Sequence, residues 1–367
     1  MNYLSILRRK KMGLLFKGLF CVVVAYAVWH SLRVIYITGL FVRRYNHQPG
    51  PCRIIPGIEY GSEDIQTLSN GIALITAGMN AGVTDTPHKF RGIYTFDFNN
   101  PNKNLTKLKL TGNLAEEDFV PHGFHVWTDK HTGSVTVFAV NHGRTYWDNE
   151  SVEVFKYDNK AQSLHHIRTI RNANFIRLND IVATGNNTFY ATNDDVWFQA
   201  LWKWKIEPFL QTPFGNIVYY DGQSARTVAR GYVLANGINL APDQKTLYLA
   251  NYGEANMVVF KRHPDNSLTE IKRVDLHMPR PDNIEVDFDG NLWIAGGYKL
   301  LADANSKAPS SMVIRGKPEN DDFTFEEVYV NDGQILDSAS VVSFFQNQML
   351  VGTPRQRLLY CDEVYVN

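Results

Sequence analysis

One arrangement limits the folds open to this chain more than any other: a polar cluster that returns at near-regular intervals, each time among apolar residues. It starts as Glu63-Asp64 after Gly61-Ser62 and returns as His122 in Pro121-His122-Gly123. It comes again as Asn179-Asp180 in Arg177-Leu178-Asn179-Asp180-Ile181-Val182, as Asn236 in Ala235-Asn236-Gly237-Ile238-Asn239, and as Asp282-Asn283 in Pro281-Asp282-Asn283-Ile284. The intervals are 59, 57, 57 and 47 residues. Each cluster is followed by an alternating apolar run, a turn and a second run. Six such turn-and-strand phrases centre on 71–75, 135–140, 188–191, 246–250, 291–294 and 348–351. A period near 50 built this way predicts an all-β fold, a six-bladed propeller. Residues 51–367 then supply about 53 per blade, room for four short strands and their loops. One or two oxygen-bearing side chains per blade would point at a common axis. Glu, Asp and Asn oxygens without thiolates suit calcium better than zinc or copper.

Composition sets the outer limits. Acidic and basic residues number 37 each, so no net charge recommends a nucleic-acid partner. Three cysteines are too few for a disulfide-dense scaffold or a cysteine-based zinc protein. Cys21 lies in an apolar N-terminal run, while Cys52 and Cys361 stand at the two ends of the repeat region. A ring closes only if its first and last strands meet in one blade. A Cys52–Cys361 disulfide would staple them in an oxidising compartment, adding about 5 kcal/mol in the chain-entropy model. The alternative is two unpaired thiols.

The N-terminus carries an address. Arg8-Arg9-Lys10-Lys11 precedes an apolar stretch from Met12 to about Leu40 that Lys17, His30 and Arg33 interrupt. The basic cluster predicts a cytoplasmic tail over 1–11 and a signal-anchor transmembrane helix over 12–40. A cleaved signal peptide is the alternative, although no small-residue cleavage site stands out. A polar stalk over 41–50 leads to the propeller at 51–367. The product is a single-pass type II membrane protein with its bulk lumenal or extracellular, in the endoplasmic reticulum or at the cell surface. Acceptor sequons at Asn104, Asn149 and Asn186 agree with that route. The segment from Val196 to Leu210 breaks the β pattern with Trp197, Trp202 and Trp204. It reads either as an amphipathic lid for a membrane or partner surface or as a helix packed on the propeller.

Gly57-Ile58-Glu59-Tyr60-Gly61-Ser62-Glu63-Asp64, Pro121-His122-Gly123, Val140-Asn141-His142, Leu178-Asn179-Asp180-Ile181-Val182-Ala183, Phe189-Tyr190-Ala191-Thr192-Asn193-Asp194, Ala235-Asn236-Gly237-Ile238-Asn239 and Asp282-Asn283-Ile284 occur in one order. Together they resemble the paraoxonase/arylesterase family from about Cys52 to Cys361. The resemblance implies a six-bladed propeller with two calcium ions in its central tunnel, hydrolysing lactones, aryl esters and, in some members, organophosphates. It places a catalytic calcium on Glu63, Asn179, Asn236, Asp282 and Asn283. A structural calcium falls on Asp64, Asp180 and the carbonyl of Phe124, the family disulfide on Cys52 and Cys361, and a histidine dyad on His122 and His142. Asp195, Gly296, Gly297 and Ser340 fall on the pocket wall. There the chain departs from the family, with Asp195 in place of a histidine and Gly296-Gly297 in place of Cys-His.

Two functions follow. In the first, calcium polarises an ester carbonyl while His122 deprotonates water and His142 orients it or relays the proton. His122 as a merely hydrogen-bonded group under the calcium is the alternative for that residue. In the second, the protein resembles membrane-anchored relatives that act without catalysis, as chaperones or accessory subunits of degenerin-type sodium channels. A third, weaker reading is a secreted, lipoprotein-associated enzyme that keeps its apolar N-terminus.

Overall fold

Burial along the strands follows their place in the ring. Every residue of Leu178–Ala183 and of Ala235–Leu240 is buried, as expected for strands walled in on both faces. Leu268–Asp275, on an outer edge, alternates between half-buried and exposed. A computed structural model describes residues 3–39, 41, 44–79, 86–143, 150–195, 210–297, 309–320 and 322–366. Among them six antiparallel sheets form six blades, each listed in chain order from the innermost strand outward.

Blade 1 holds Ile65–Thr67, Ile72–Ala77, Gly92–Asp97 and Thr106–Lys107. Blade 2 holds Pro121–Thr128, Val135–Asn141, Ser151–Asp158 and Ser163–Ile170, with Lys109–Thr111 added in parallel outside. Blade 3 holds Leu178–Ala183, Phe189–Asn193, Gly215–Tyr220 and Ala225–Tyr232. Blade 4 holds Ala235–Leu240, Thr246–Asn251, Asn256–Arg262 and Leu268–Asp275. Blade 5 holds Pro281–Val286, Leu292–Gly296, Ser311–Glu319 and Asp322–Asn331. Blade 6 joins Val341–Phe345, Gln348–Gly352 and Leu359–Cys361 to the early strand Cys52–Ile54. Successive inner strands touch, and that of blade 6 touches that of blade 1, so the ring is closed.

Aromatic wedges fill the gaps between blades. Phe138, Phe175, Phe189 and Tyr220 pack between blades 2 and 3. Trp293 stacks on Phe344 at 4.4 Å between blades 5 and 6. Ring closure is covalent, because Cys52 sits opposite Cys361 and the two form a disulfide. Asn104 and Asn186 are exposed, while Asn149 and residues 196–209 lie outside the described residues.

The N-terminal helix runs from Tyr3 to Thr38. Its stretch Leu15–Thr38, with mean hydropathy 1.7, is long and apolar enough to cross a membrane. Its C-terminal end is docked on the propeller. Arg33 pairs with Glu254, and Tyr36 Oη donates to Asp275 Oδ1 at 2.9 Å. The segment read as a stalk continues that contact over its described part. Arg44 pairs with Glu327 and donates to the His277 carbonyl, and His47 forms a β-bridge with Val330. All inner strands run the same way, so their starting ends share one face. Glu254, Asp275 and His277 belong to turns on that face, since each follows or ends a strand returning to it.

We expect the Cys52→Ser/Cys361→Ser pair to lower unfolding free energy by about 2–5 kcal/mol. Denaturant titration of the detergent-solubilised chain measures it; unchanged stability would show that the blade closes without the bond.

Candidate metal centre and histidine relay

The clustered polar side chains owe their aim to a repeated backbone irregularity. In blade 2, Pro121 faces Asn141 and Phe124 faces Ala139, so His122-Gly123 opposes a single residue. The same slip occurs at Asn179-Asp180, at Asn236-Gly237 and at Asp282-Asn283. In a regular strand consecutive side chains point to opposite faces. The extra residue of a bulge breaks that rule and re-aims a side chain. Hence an amide and a carboxylate can be neighbours in sequence and both serve the tunnel. In blade 1, Asp64 stands just before its strand and repeats the blade 3 geometry. Its N–H donates to Thr76 Oγ1 at 3.0 Å, as that of Asp180 does to Thr192 Oγ1.

Glycine lets the blades converge. A Cβ on Gly123 would lie 2.5 Å from the Asn179 carbonyl oxygen, and one on Gly237 2.5 Å from Asn283 Cα. Both approaches are to backbone, so no side-chain adjustment relieves them.

At the starting ends of the inner strands the acceptors outnumber the donors. Glu63 Oε2, Asn179 Oδ1, Asn236 Oδ1 and Asn283 Oδ1 are buried and have no hydrogen-bond partner. Glu63 and Asn283 are joined directly, Asn283 Nδ2 donating to Glu63 Oε1 at 3.1 Å. Asn236 donates to Asp282. Ser340 is fully buried, and its hydroxyl donates to the Glu63 carbonyl at 2.8 Å while its own carbonyl accepts from Asn283 N–H. Each unpartnered buried acceptor costs about 1–3 kcal/mol. Four of them stand at the starting ends of the inner strands of blades 1, 3, 4 and 5, and oxygens of this kind are the donors a hard cation takes. Among the described residues no three of His, Cys, Asp and Glu gather closely enough to hold a metal by themselves, so a site here would draw on amide oxygens as well.

A second set sits beside the first. Asp64 Oδ2 accepts from Phe124 N–H at 2.7 Å, and Asp180 Oδ2 from Ile238 N–H at 2.8 Å. Burial raises both carboxyls far above the ordinary range, and the neighbouring acids add to it: Glu63 for Asp64, Asp64 for Asp180. Burial likewise lifts Glu63 to about 7 and Asp282 well above its ordinary value. Glu285, which the sequence reading missed, belongs to the same group, raised by burial and then by Asp64 and Asp180. It accepts from Gln66 Nε2 at 2.7 Å and lines a cavity of about 250 Å³ at the far ends of the inner strands.

The two histidines form one chain of contacts. His122 Nδ1 lies 2.8 Å from His142 Nε2, and His142 Nδ1 lies 2.8 Å from Glu150 Oε1. On the other side His122 Nε2 stands 3.5 Å from Glu63 Oε1, too far for a good hydrogen bond. Burial, then His142, lowers the His122 pKa to about 3, so its imidazole is neutral near pH 7. Glu150 was also missed from sequence, where it reads as one more polar residue entering a strand.

Family comparison adds what geometry alone leaves open. The arylesterase family model matches residues 46–363. The chain belongs to the arylesterase family. Serum paraoxonase/arylesterase 2 of Gallus gallus is 35% identical over 320 residues, covering 85% of this chain and 88% of the relative. Serum paraoxonase/lactonase 3 of Mus musculus is 32% identical over 325 residues, covering 86% and 89%. Among solved structures a luciferin-regenerating enzyme superposes with TM-score 0.55 at 12% identity, over 85% of this chain and 95% of its own, a likeness of fold.

The positions read from sequence as departures from the family lie at strand ends. Gly296 faces Pro281 at the head of the blade 5 inner strand, and a Cβ there would meet the Arg280 carbonyl oxygen at 2.3 Å. Gly297 and Asp195 are buried next to strand ends. Preceding Asp195, Asp194 forms a buried ion pair with Arg177, whose Nε lies 2.8 Å from Asp194 Oδ1.

Two outcomes test this arrangement. Gly237→Ala should lower the melting temperature markedly, because its Cβ meets backbone; a melting curve like that of the unaltered chain would refute the close approach. The raised Glu63 pKa has a definite sign. Between about pH 4.5 and about 7 the folded metal-free chain keeps a proton the unfolded chain has released. That stability is full below the unfolded value and is lost as pH rises through the folded one. Thermal melts in chelator should therefore fall across this window, and added calcium should remove the slope; a flat profile in chelator would contradict it.

Proposed function

We propose that this chain is a membrane-anchored, calcium-dependent hydrolase of lactones and aryl esters. The observation that carries the reading is the group of four orphaned oxygens beside a hydrogen-bonded histidine pair. Names of the relatives, paraoxonase, arylesterase and lactonase, point to the same substrates. Glu63, Asn179, Asn236, Asp282 and Asn283 would hold one calcium ion. Asp64, Asp180 and the Phe124 carbonyl would hold a second. A bound calcium supplies Lewis-acid polarisation of the ester carbonyl and charge stabilisation for the oxyanion.

The chain's own residues do the rest. His122 accepts a proton from water through Nε2, the nitrogen not committed to His142. His142 holds the ring in place through Nδ1 of His122. Asn283 and Ser340 fix Glu63 from two sides, one through its side chain and one through its main chain. Asp195 and the glycine pair Gly296-Gly297 alter the wall on which family members differ, and so the fit of the acyl or leaving group. The docked helix leaves the propeller on the face where the inner strands begin. In a membrane-anchored chain this turns the ligand-bearing mouth toward the bilayer and favours apolar substrates. The sequons and the disulfide agree with a lumenal or extracellular propeller of type II topology.

The test uses the full chain in detergent with a simple lactone and phenyl acetate. We expect turnover that chelator abolishes and calcium restores, and a loss of about 10²–10⁴-fold in kcat for His122→Gln. A folded, calcium-loaded chain inert on a broad ester panel would overturn the hydrolase reading. It would leave the non-catalytic one, an accessory or chaperone role toward ion-channel subunits, to be tested by co-purification.

A further inference from the structure

We propose that Glu150 is a positioning residue that sets the tautomer of both histidines and so presents the basic nitrogen of His122 to the reaction site. The inference deepens the hydrolase reading and rests on it. It starts from three contacts. Glu150 Oε1 lies 2.8 Å from His142 Nδ1, Glu150 Oε2 accepts from Leu178 N–H at 3.1 Å, and His142 Nε2 lies 2.8 Å from His122 Nδ1. All three side chains are buried, His142 completely and Glu150 to 8% exposure.

Donor and acceptor roles follow from the end of the chain. A carboxylate only accepts, so the proton between Glu150 and His142 sits on His142 Nδ1. His142 is then an acceptor at Nε2, and the proton between the rings sits on His122 Nδ1. His122 Nε2 is left with its lone pair, on the side of Glu63 and the orphaned oxygens. Without a fixed acceptor behind His142, both hydrogen bonds can be made equally well in reverse, and His122 Nε2 then carries a hydrogen and cannot act as a base. The second oxygen of Glu150 is pinned by the N–H next to Asn179, so the relay is tied to the strand carrying that residue.

Proton balance through the relay is simple. As hydroxide adds to the carbonyl carbon, the water O–H bond breaks and its proton goes to His122 Nε2. The Nδ1 proton can pass to His142 Nε2, placing the imidazolium charge beside Glu150. When the tetrahedral adduct collapses, that proton moves back to His122 Nδ1 and the Nε2 proton passes to the leaving oxygen, which restores both rings.

Glu150→Gln is the sharpest variant because it keeps shape and removes one property. Leu178 N–H still needs an acceptor and takes the amide oxygen. The amide NH₂ then faces His142 Nδ1 as a donor and reverses the relay. In serine-protease triads a comparable asparagine substitution imposes the wrong tautomer and costs about 10⁴ in kcat. We expect a loss of roughly 10³–10⁴-fold in kcat on phenyl acetate, with KM, calcium stoichiometry and melting temperature close to wild type, and partial recovery in Glu150→Asp. Wild-type kcat in a folded Glu150→Gln chain would overturn the proposal. A second measurement covers a variant that fails to fold. Imidazole ¹⁵N shifts of the calcium-loaded wild type should show Nδ1 protonated and Nε2 free on both His122 and His142; an Nε2–H on His122 would overturn it as well. A wild type without esterase activity would refute the hydrolase reading instead, and the nitrogen shifts would still decide the tautomer.

Discussion

The structure depends on one electrostatic conflict: acids and amide oxygens from separate blades are buried around a single axis with too few hydrogens to share. Glu63, Asp64, Asp180, Asp282 and Glu285 each have their pKa raised, first by burial and then, for all but Glu63, by one another. Such a group is unfavourable unless protonated or neutralised by a cation. The rest of the fold is what makes the arrangement tolerable. Aromatic wedges between blades, glycine at the closest inner-strand contacts and a covalent latch at the seam hold strands that the tunnel charges would push apart.

The same conflict explains why the site and the relay are adjacent. Bulged inner strands deliver a pair of residues per blade, and in blade 2 that pair is His122-Gly123. The imidazole thus enters the same layer as the amide oxygens, while Gly123 admits the Asn179 backbone beside it. Behind the histidines the environment is polar again, through Glu150 and the Arg177–Asp194 pair. Burial keeps His122 a neutral imidazole among buried acids, so a ring nitrogen stays unprotonated near pH 7.

Much of this was legible from sequence because the repeat writes itself in residue types. Period and strand phrases announced the blade count, and the terminal cysteines announced the ring seam. Two things hid. Asn141, Asn193 and Asn251 each end the second strand of a blade and accept from backbone N–H groups leading into the inner strand, yet alone each reads as an ordinary turn residue. Glu150, just before a strand, and Glu153, within it, are buried against His142, Asn141 and His166, which belong to the adjacent strands or their ends. Pairing across strands is set by register, which residue spacing does not encode. A side chain at Gly296 would meet the Arg280 backbone, a constraint that residue type alone does not announce.

The central claim is that oxygens from separate blades gather to hold divalent cations, and metal content tests it most directly. Elemental analysis of the full chain, purified with calcium and freed of loose ions, should give two calcium ions per chain. Asn236→Ala with Asn283→Ala should retain one. Zero calcium in the folded unaltered chain, or an unchanged count in the double variant, would contradict the account.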